Sequence, residues 1–412
     1  MSQTSTRLAI VVSHPIQYYA PWFRHLAQQP DLEVRVFHLW DFGVTAQVDR
    51  GFGHTVQWDI PLLEGYASEF VPNASRDPGT HHFSGLDNPD LVPRLEAWRA
   101  DAILLFGYAH RSHLRVILSR RLRKVPLLFR GDSHDLARPH GLRPWLGRMA
   151  RRLLFRRFAA FLSVGKAHTD YLRNSGVPEA KIVFAPHAVD NDRFRAAASE
   201  AERDAKAWRG ELGIPEGARV FLFAGKLESK KQPLALLEAF LAMMASPEPP
   251  SAAALLFVGS GVLEDTLKAR AAEAGTGHVF FAPFQNQSRM PRVYAAGDVL
   301  VLPSFGPLET WGLAVNEAMN LGRPVIVSSH VGCARDLVVP GRTGWVFEAG
   351  NPESLARVLR EAARLPGDAL RGLGEAACRH VETYSLEAVT AGLRATLARH
   401  LPPGPRGPEP GP

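Results

Sequence analysis

Residues 299–327 read VLVLPSFGPLETWGLAVNEAMNLGRPVIV. The apolar run Val299–Leu302 has the length of a buried strand, and Pro303-Ser304-Phe305-Gly306-Pro307 turns the chain out of it. A helical repeat then begins near Trp311 and carries Leu313, Ala314, Ala318, Met319 and Leu321 to a stop at Gly322-Arg323-Pro324. Pro324–Val327 reads as the next parallel strand, so the stretch is a βαβ unit. Ligands of such units sit at the carboxyl ends of the strands, and phosphates favour the helix N-terminus. Two acids bracket the start of this helix, Glu309 in the loop and Glu317 eight positions on. A carboxylate accepts from two neighbouring hydroxyls at once, which suits a sugar or a ribose, and two acids so spaced reach different parts of one ligand.

The frame Pro303-Ser304…Glu309-Thr310-Trp311-Gly312-Leu313…Glu317-Ala318-Met319 resembles the E-x7-E signature of retaining GT-B glycosyltransferases of family 4. That resemblance implies an α/β fold of two Rossmann-like domains whose parallel sheets face each other across a cleft. It also implies a nucleotide-diphosphate sugar as donor, with Glu317 on the ribose and Glu309 on the transferred sugar. Trp311, Gly312 and Leu313 then stand at the donor-binding helix start.

Composition sets the outer bounds. A chain of 412 residues, 46% hydrophobic and 22% charged, fits two globular domains. Two cysteines, Cys333 and Cys378, imply no disulfide framework and suit a reducing compartment. The N-terminus lacks a secretory apolar core and no run approaches the roughly 20 apolar residues that cross a bilayer. A cytoplasmic protein is expected, at most peripheral on the inner face of a membrane. Between His110 and Arg157 stand fourteen Lys/Arg against two acids, an excess larger than the net +7 of the whole chain. No zinc-finger, RNP-type or helix-turn-helix pattern accompanies this charge, so nucleic acid is not the expected partner.

Along residues 1–195 the reading gives a first Rossmann-like, acceptor-binding domain. Arg7–Val12 is its first strand, followed by the loop His14-Pro15-Ile16-Gln17-Tyr18-Tyr19 and the helix Ala20–Gln28. No G-x-G-x-x-G occurs there, against an NAD-type site. Many family 4 enzymes carry a Gly-Gly pair in this loop and this chain does not, although His-Pro-Ile-Gln-Tyr-Tyr resembles the opening of one subset. His14 and Tyr18 are therefore cleft candidates. Asp41–Pro93 reads as a long ordered excursion over the cleft. A basic helix is expected over His110–Lys124, then Gly131-Asp132-Ser133-His134-Asp135 at a strand end, where Asp132 and His134 are placed to meet an acceptor hydroxyl. A second helix, Leu142–Phe161, carries six arginines beside Trp145, Leu146, Met149 and Phe158. Its face is either solvated or a seat for an anionic membrane. Pro186-His187-Ala188-Val189-Asp190 resembles the family's Pro-Asn-Gly-Val-Asp, with His-Ala in place of Asn-Gly.

Residues 196–385 read as a second Rossmann-like domain for the nucleotide sugar. Three of the chain's eight lysines fall within Gly225-Lys226-Leu227-Glu228-Ser229-Lys230-Lys231. Such crowding in an arginine-rich chain fits a task for compact ammonium groups. The family has G-(R/K)-L-x3-K here, which assigns Lys226 and Lys231 to the diphosphate. Gly259-Ser260-Gly261 matches the family's second-domain loop, and Phe284 lies where relatives hold the base. Asp336 replaces the usual Glu of relatives. Residues 386–401 form a terminal helix that crosses back to the first domain in GT-B folds, and the Pro/Gly tail 402–412 has nothing to bury and is expected to be disordered.

The sequence thus points to a glycosyltransferase that moves a sugar from a nucleotide-diphosphate sugar to an acceptor hydroxyl with retention, in glycan, polysaccharide or glycolipid assembly, on a glycan or lipid-linked acceptor. Charge on the leaving diphosphate falls to Lys226, Lys231 and the helix N-terminus, so no metal or other cofactor is expected. His81-His82 and His110-x2-His113 have metal-like spacing but are not assigned to one. A nucleotide-sugar epimerase or phosphorylase, or a non-catalytic partner in glycan assembly, is the alternative on the same architecture.

Overall fold

The computed structural model describes residues 5–49, 53–137, 142–250 and 252–401. The tail 402–412 and Arg138 lie outside them, as do the side chains of Arg143, Trp145 and Leu146.

Among the described residues, fifteen strands build two parallel sheets and one small hairpin. In the first domain β1 (Thr6–Val12), β2 (Leu32–His38), β5 (Ala67–Phe70), β6 (Ala102–Phe106), β7 (Leu127–Arg130), β8 (Ala160–Ser163) and β9 (Ile182–Phe184) lie in the order β5-β2-β1-β6-β7-β8-β9. The hairpin of β3 (Gln47–Asp49) and β4 (His54–Val56) stands apart within the long excursion. The second sheet takes β10 (Arg219–Ala224), β11 (Ala253–Val258), β12 (Val279–Ala282), β13 (Val299–Leu302), β14 (Val325–Ser328) and β15 (Gly344–Phe347) in the order β12-β11-β10-β13-β14-β15. Helices cover both faces, which is why strands such as Leu8–Val12 and Ala253–Val258 are buried apolar runs without alternation.

Each sheet reverses direction once. From β10 the chain moves outward through β11 and β12, then returns to the other side of β10 at β13, with Leu222 opposite Leu300. The first sheet turns back in the same way between β1 and β6, with Val11 opposite Leu105. At such switch points the loops diverge and leave a crevice at the strand ends. The decisive stretch lies on one of these crevices.

The helix Leu386–His400 leaves the second domain and packs on the first. Val389, Leu393 and Leu397 join the core of Leu8, Ile10 and Trp22, and Trp22 Nε1 donates to Thr390 Oγ1 at 3.1 Å. The two chain crossings meet where Asn191 Nδ2 donates to the Tyr384 carbonyl at 3.4 Å.

Two expected helices are shorter than their patterns. The basic helix forms only over Arg111–Ile117, and the arginine-rich helix ends at Phe155 instead of Phe161. Phe155, Phe158 and Phe161 cluster with Phe129 at centroid distances of 5.1–6.1 Å. Burying all three rings in one sheet-facing core requires the chain to turn at 156–159 and continue as β8. Several of the arginines serve this domain: Arg151 lies over the Tyr171 ring and Arg157 donates to the Leu122 carbonyl at 2.6 Å. Arg152 and Arg156 remain exposed beside Met149 (46% exposed) and Leu153 (67%).

Candidate functional site

The loops at both switch points enclose a cleft of about 430 Å³. From the first domain it is lined by His14, Tyr18 and Asp132. From the second come Gly225, Lys226, Lys231, Gly259, Phe284, Glu309, Trp311, Gly312, Leu313 and Glu317. A cavity of this size suits a small organic ligand.

The loop after β13 delivers Glu309. Its Oε2 accepts from Ser304 Oγ at 2.8 Å and from the Lys231 ammonium, which reaches across from the loop after β10. Lys231 is thus ion-paired with Glu309, while Lys226 lines the cleft on the same loop. The helix begins at Leu313, later than the pattern near Trp311, because Gly312 takes φ +96° as its N-cap. A Cβ there would meet Leu302 Cδ2 at 2.8 Å and Val331 Cγ1 at 2.9 Å, so glycine alone lets the helix start against the β13 end. No side chain of the N-cap residue caps this N-terminus, and Gly312, Leu313 and Ala314 at its start line the cleft.

Glu317 is only 1% exposed and lies in the second turn of that helix. Burial pushes its carboxyl up to about 7, against the lowering effect of the Tyr294 hydrogen bond and the Arg193 guanidinium. Tyr294 Oη donates to its Oε2 at 2.6 Å. Tyr18 reaches the same region from the first domain, and its phenol is pushed upward by burial and by Glu317 and Glu309.

The opposite wall is set by two glycine loops. A Cβ on Gly259 would sit 2.0 Å from the Gly225 carbonyl oxygen, so these backbones approach as only glycine permits. The cleft there is lined by bare backbone beside Lys226.

In the first domain, Asp132 Oδ2 accepts from Thr310 Oγ1 at 2.7 Å, tying the loop after β7 to the residue beside Glu309. His187 Nε2 stands 3.5 Å from the same oxygen, at the limit of a hydrogen bond. Burial alone would raise the Asp132 carboxyl; the His187 ring and the Thr310 hydroxyl outweigh it and hold the group at about 2. His187 is buried, stacked on Tyr19 with centroids 6.1 Å apart and set 5.6 Å from the Trp311 ring. Sequence reading did not single it out as a site residue; its place beside Val189-Asp190 at a strand end was the available signal. His14 packs edge-on against Trp40 and Phe42 at 5.6 and 5.4 Å.

His134, expected to meet the acceptor, lies behind the cleft wall next to Glu309. It is 1% exposed and does not line the cleft. Its Nδ1 accepts from Leu136 N at 3.3 Å and its Nε2 donates to the Glu309 carbonyl at 3.1 Å. With both nitrogens engaged, His134 positions the Glu309 loop from beneath. Asp336 does not line the cleft: its oxygens accept from Lys166 N at 3.1 and 3.0 Å, capping the helix Lys166–Asn174 of the first domain.

Asp190-Asn191-Asp192 has the spacing of a metal-binding Asp-x-Asp, but Asp190 Oδ1 accepts from Arg193 N at 3.0 Å as a helix cap. Of the two histidine pairs, His110 and His113 close a capping box, whereas His81 and His82 gather with Asp77 within 4.8 Å, outside the cleft.

Two family models match this chain. Glycosyl transferases group 1 covers residues 204–379 and Glycosyl transferase 4-like domain covers residues 69–188. The D-inositol 3-phosphate glycosyltransferase of Rhodococcus erythropolis is 31% identical over 363 residues, covering 81% of this chain and 78% of the relative. The Streptomyces avermitilis protein of that name is 33% identical over 231 residues, and the chain spans about half of its length, 47%. Anabaena Alr3699/HepE, solved in complex with UDP and glucose, has the same fold at a TM-score of 0.70 and 17% identity, over 96% of this chain and 100% of that one. WaaG, a glycosyltransferase involved in lipopolysaccharide biosynthesis, superposes at 0.64 with 18% identity, over 95% and 98%. The two-sheet fold, the cleft at its switch points and these matches place the chain in the GT-B, family 4-like group 1 glycosyltransferases.

Proposed function

We propose that the protein transfers a sugar from a nucleotide-diphosphate sugar to an acceptor hydroxyl with retention of configuration. The observation that carries this reading is the convergence in one cleft of Glu309, Glu317, Lys226, Lys231 and the start of the helix Leu313–Asn320. In this reading Glu317 holds the ribose hydroxyls, Glu309 orients the sugar, and the two ammonium groups with the helix N-terminus take the charge that grows on the leaving diphosphate. No metal ion is required for that charge. The nucleotide's own phosphate helps remove the acceptor proton on the reacting face, and Asp132, ionised and facing the cleft, orients the acceptor hydroxyl.

UDP leads the list of donors to test because the Anabaena neighbour was solved with it. The name of the Rhodococcus relative puts a phosphorylated inositol among the acceptors to test, beside lipid-linked glycans. The exposed Arg152 and Arg156 with Met149 and Leu153 support a first domain that rests on an anionic membrane surface, where a lipid-linked acceptor is presented. No helix among the described residues is long and apolar enough to cross a membrane.

The test is release of nucleoside diphosphate from UDP-, GDP- and ADP-sugars without acceptor, then with labelled acceptors. Slow release that an acceptor accelerates is expected. Absence of release from every donor, by a protein that binds none of the nucleotides, overturns the reading.

A further inference from the structure

The excursion after β2 does more than cover the first domain. Its segment Gln57–Asp59 reaches the second domain and is bonded there on both sides. Asn286 Nδ2 donates to the Gln57 carbonyl at 2.7 Å, and Ser288 N donates to Asp59 Oδ1 at 2.9 Å. The Ser288 hydroxyl donates to the other oxygen of the same carboxylate. Asp59 therefore seats on the 3-10 turn Gln287–Arg289 of the opposite domain. Between these anchors stands Trp58, which lines the cleft with its ring 6.4 Å from that of Phe284. On the near side, Trp58 lies over Gly43, where a Cβ would come within 2.9 Å of its Cδ1, and Trp58 N donates to the Gly43 carbonyl at 3.2 Å.

We propose that Gln57–Asp59 is a donor-binding strap: docking of Asp59 on Ser288 carries Trp58 across the cleft, so that Trp58 and Phe284, one from each domain, form an aromatic corner against the nucleobase. This rests on the nucleotide-sugar reading above and adds a first-domain residue to the donor site. The base then gains its second ring only in the closed form, so nucleotide binding and domain closure favour each other. An aromatic face binds any base, so the corner adds affinity and leaves the choice of base to polar groups elsewhere.

Calorimetry with UDP, GDP and ADP, and with inorganic pyrophosphate as a ligand lacking a base, tests this on the full chain. Trp58→Ala should weaken the preferred nucleoside diphosphate about tenfold to a hundredfold. Pyrophosphate binding should be unchanged, and Trp58→Phe should recover most of the loss. Asp59→Ala should weaken the nucleotide and enlarge the radius of gyration of the nucleotide-bound protein in small-angle scattering. Glu317→Ala serves as the control for the site itself. If Glu317→Ala loses the nucleotide while Trp58→Ala and Asp59→Ala bind it as the wild type does, the strap is overturned and the donor reading stands. Equal loss of pyrophosphate and nucleotide in Trp58→Ala also overturns it. A wild type that binds no nucleoside diphosphate overturns both.

Discussion

Tyr294 Oη donates to Glu317 Oε2 at 2.6 Å in the floor of the cleft, and this bond is the principal polar support of a carboxyl that is almost wholly buried. Burial holds that carboxyl at about 7, above its ordinary 4.5, so the folded protein binds its proton more tightly than the unfolded chain. The contribution to stability is fully present below about pH 4.5 and is lost as pH rises through about 7. Glu317→Gln keeps an acceptor for Tyr294 without the charge. It should be more stable than the wild type at pH 8, by about 3 kcal/mol, and equal to it at pH 4. Nucleoside diphosphate affinity of the wild type should rise between pH 6 and 8, as the ionised acceptor forms. Thermal melts and calorimetry at the three pH values check both; a Gln variant no more stable at pH 8 than the wild type counts against the shift.

The Lys231–Glu309 pair predicts an asymmetric result. Lys231→Ala removes a cation from the proposed diphosphate site and should weaken nucleotide binding about tenfold or more, since a charged hydrogen bond contributes about 1.5–3 kcal/mol. Glu309→Gln releases the ammonium from its carboxylate. It should bind nucleoside diphosphate at least as tightly as the wild type while turnover falls on the order of a hundredfold. Equal losses of affinity in the two variants would show that the pair acts only as a structural tie.

Activity should survive a chelator. The proposed neutralising charges are Lys226, Lys231 and the helix N-terminus, and Asp190 of the Asp-x-Asp triplet is engaged as a cap. Initial rates in EDTA and in Mg²⁺ or Mn²⁺ decide it. Complete loss that metal restores would overturn the assignment of the lysines.

Asp336 caps a helix of the other domain, so its removal should loosen the domain contact without touching the donor. Asp336→Ala should cost about 1 kcal/mol of stability, the usual worth of an N-cap, and leave nucleotide affinity unchanged. A drop in nucleotide affinity as large as that of Lys231→Ala would return Asp336 to the donor site.

For the membrane, co-sedimentation with anionic and neutral vesicles at low and high salt is the measurement. Each basic residue near an anionic surface contributes about 1 kcal/mol, within a Debye length. Binding to anionic vesicles at low salt, lost at high salt and weakened by Arg152→Glu with Arg156→Glu, is expected. Equal recovery with neutral vesicles would leave these arginines as a solvated face.

The sequence exposed what is local. Strand, turn and helix signals around Glu309 and Glu317 lie within thirty residues, and the helix frame fixes both acids at once. The burial of His134 is not local: its partner, the Glu309 carbonyl, is 175 positions away and no local pattern encodes that contact. The arginine-rich helix ends earlier than its apolar repeat for a similar reason. Phe158 and Phe161 continue an apolar repeat, but their burial with Phe129 favours a turn and a strand. Trp58 lies within the long excursion Asp41–Pro93, and only the far side of the cleft gives it meaning.

Because Asn191 and Tyr384 hold the two crossings side by side, the domains are joined like covers on a single spine. Two parallel covalent links at one place resist twisting and sliding far more than one link does, and leave bending about their common line as the soft motion. The same arrangement divides the first domain's ownership of the chain, since its core is completed by Val389, Leu393 and Leu397 from the far end. A ribosome making this protein must therefore finish the second domain before the first can close its apolar surface.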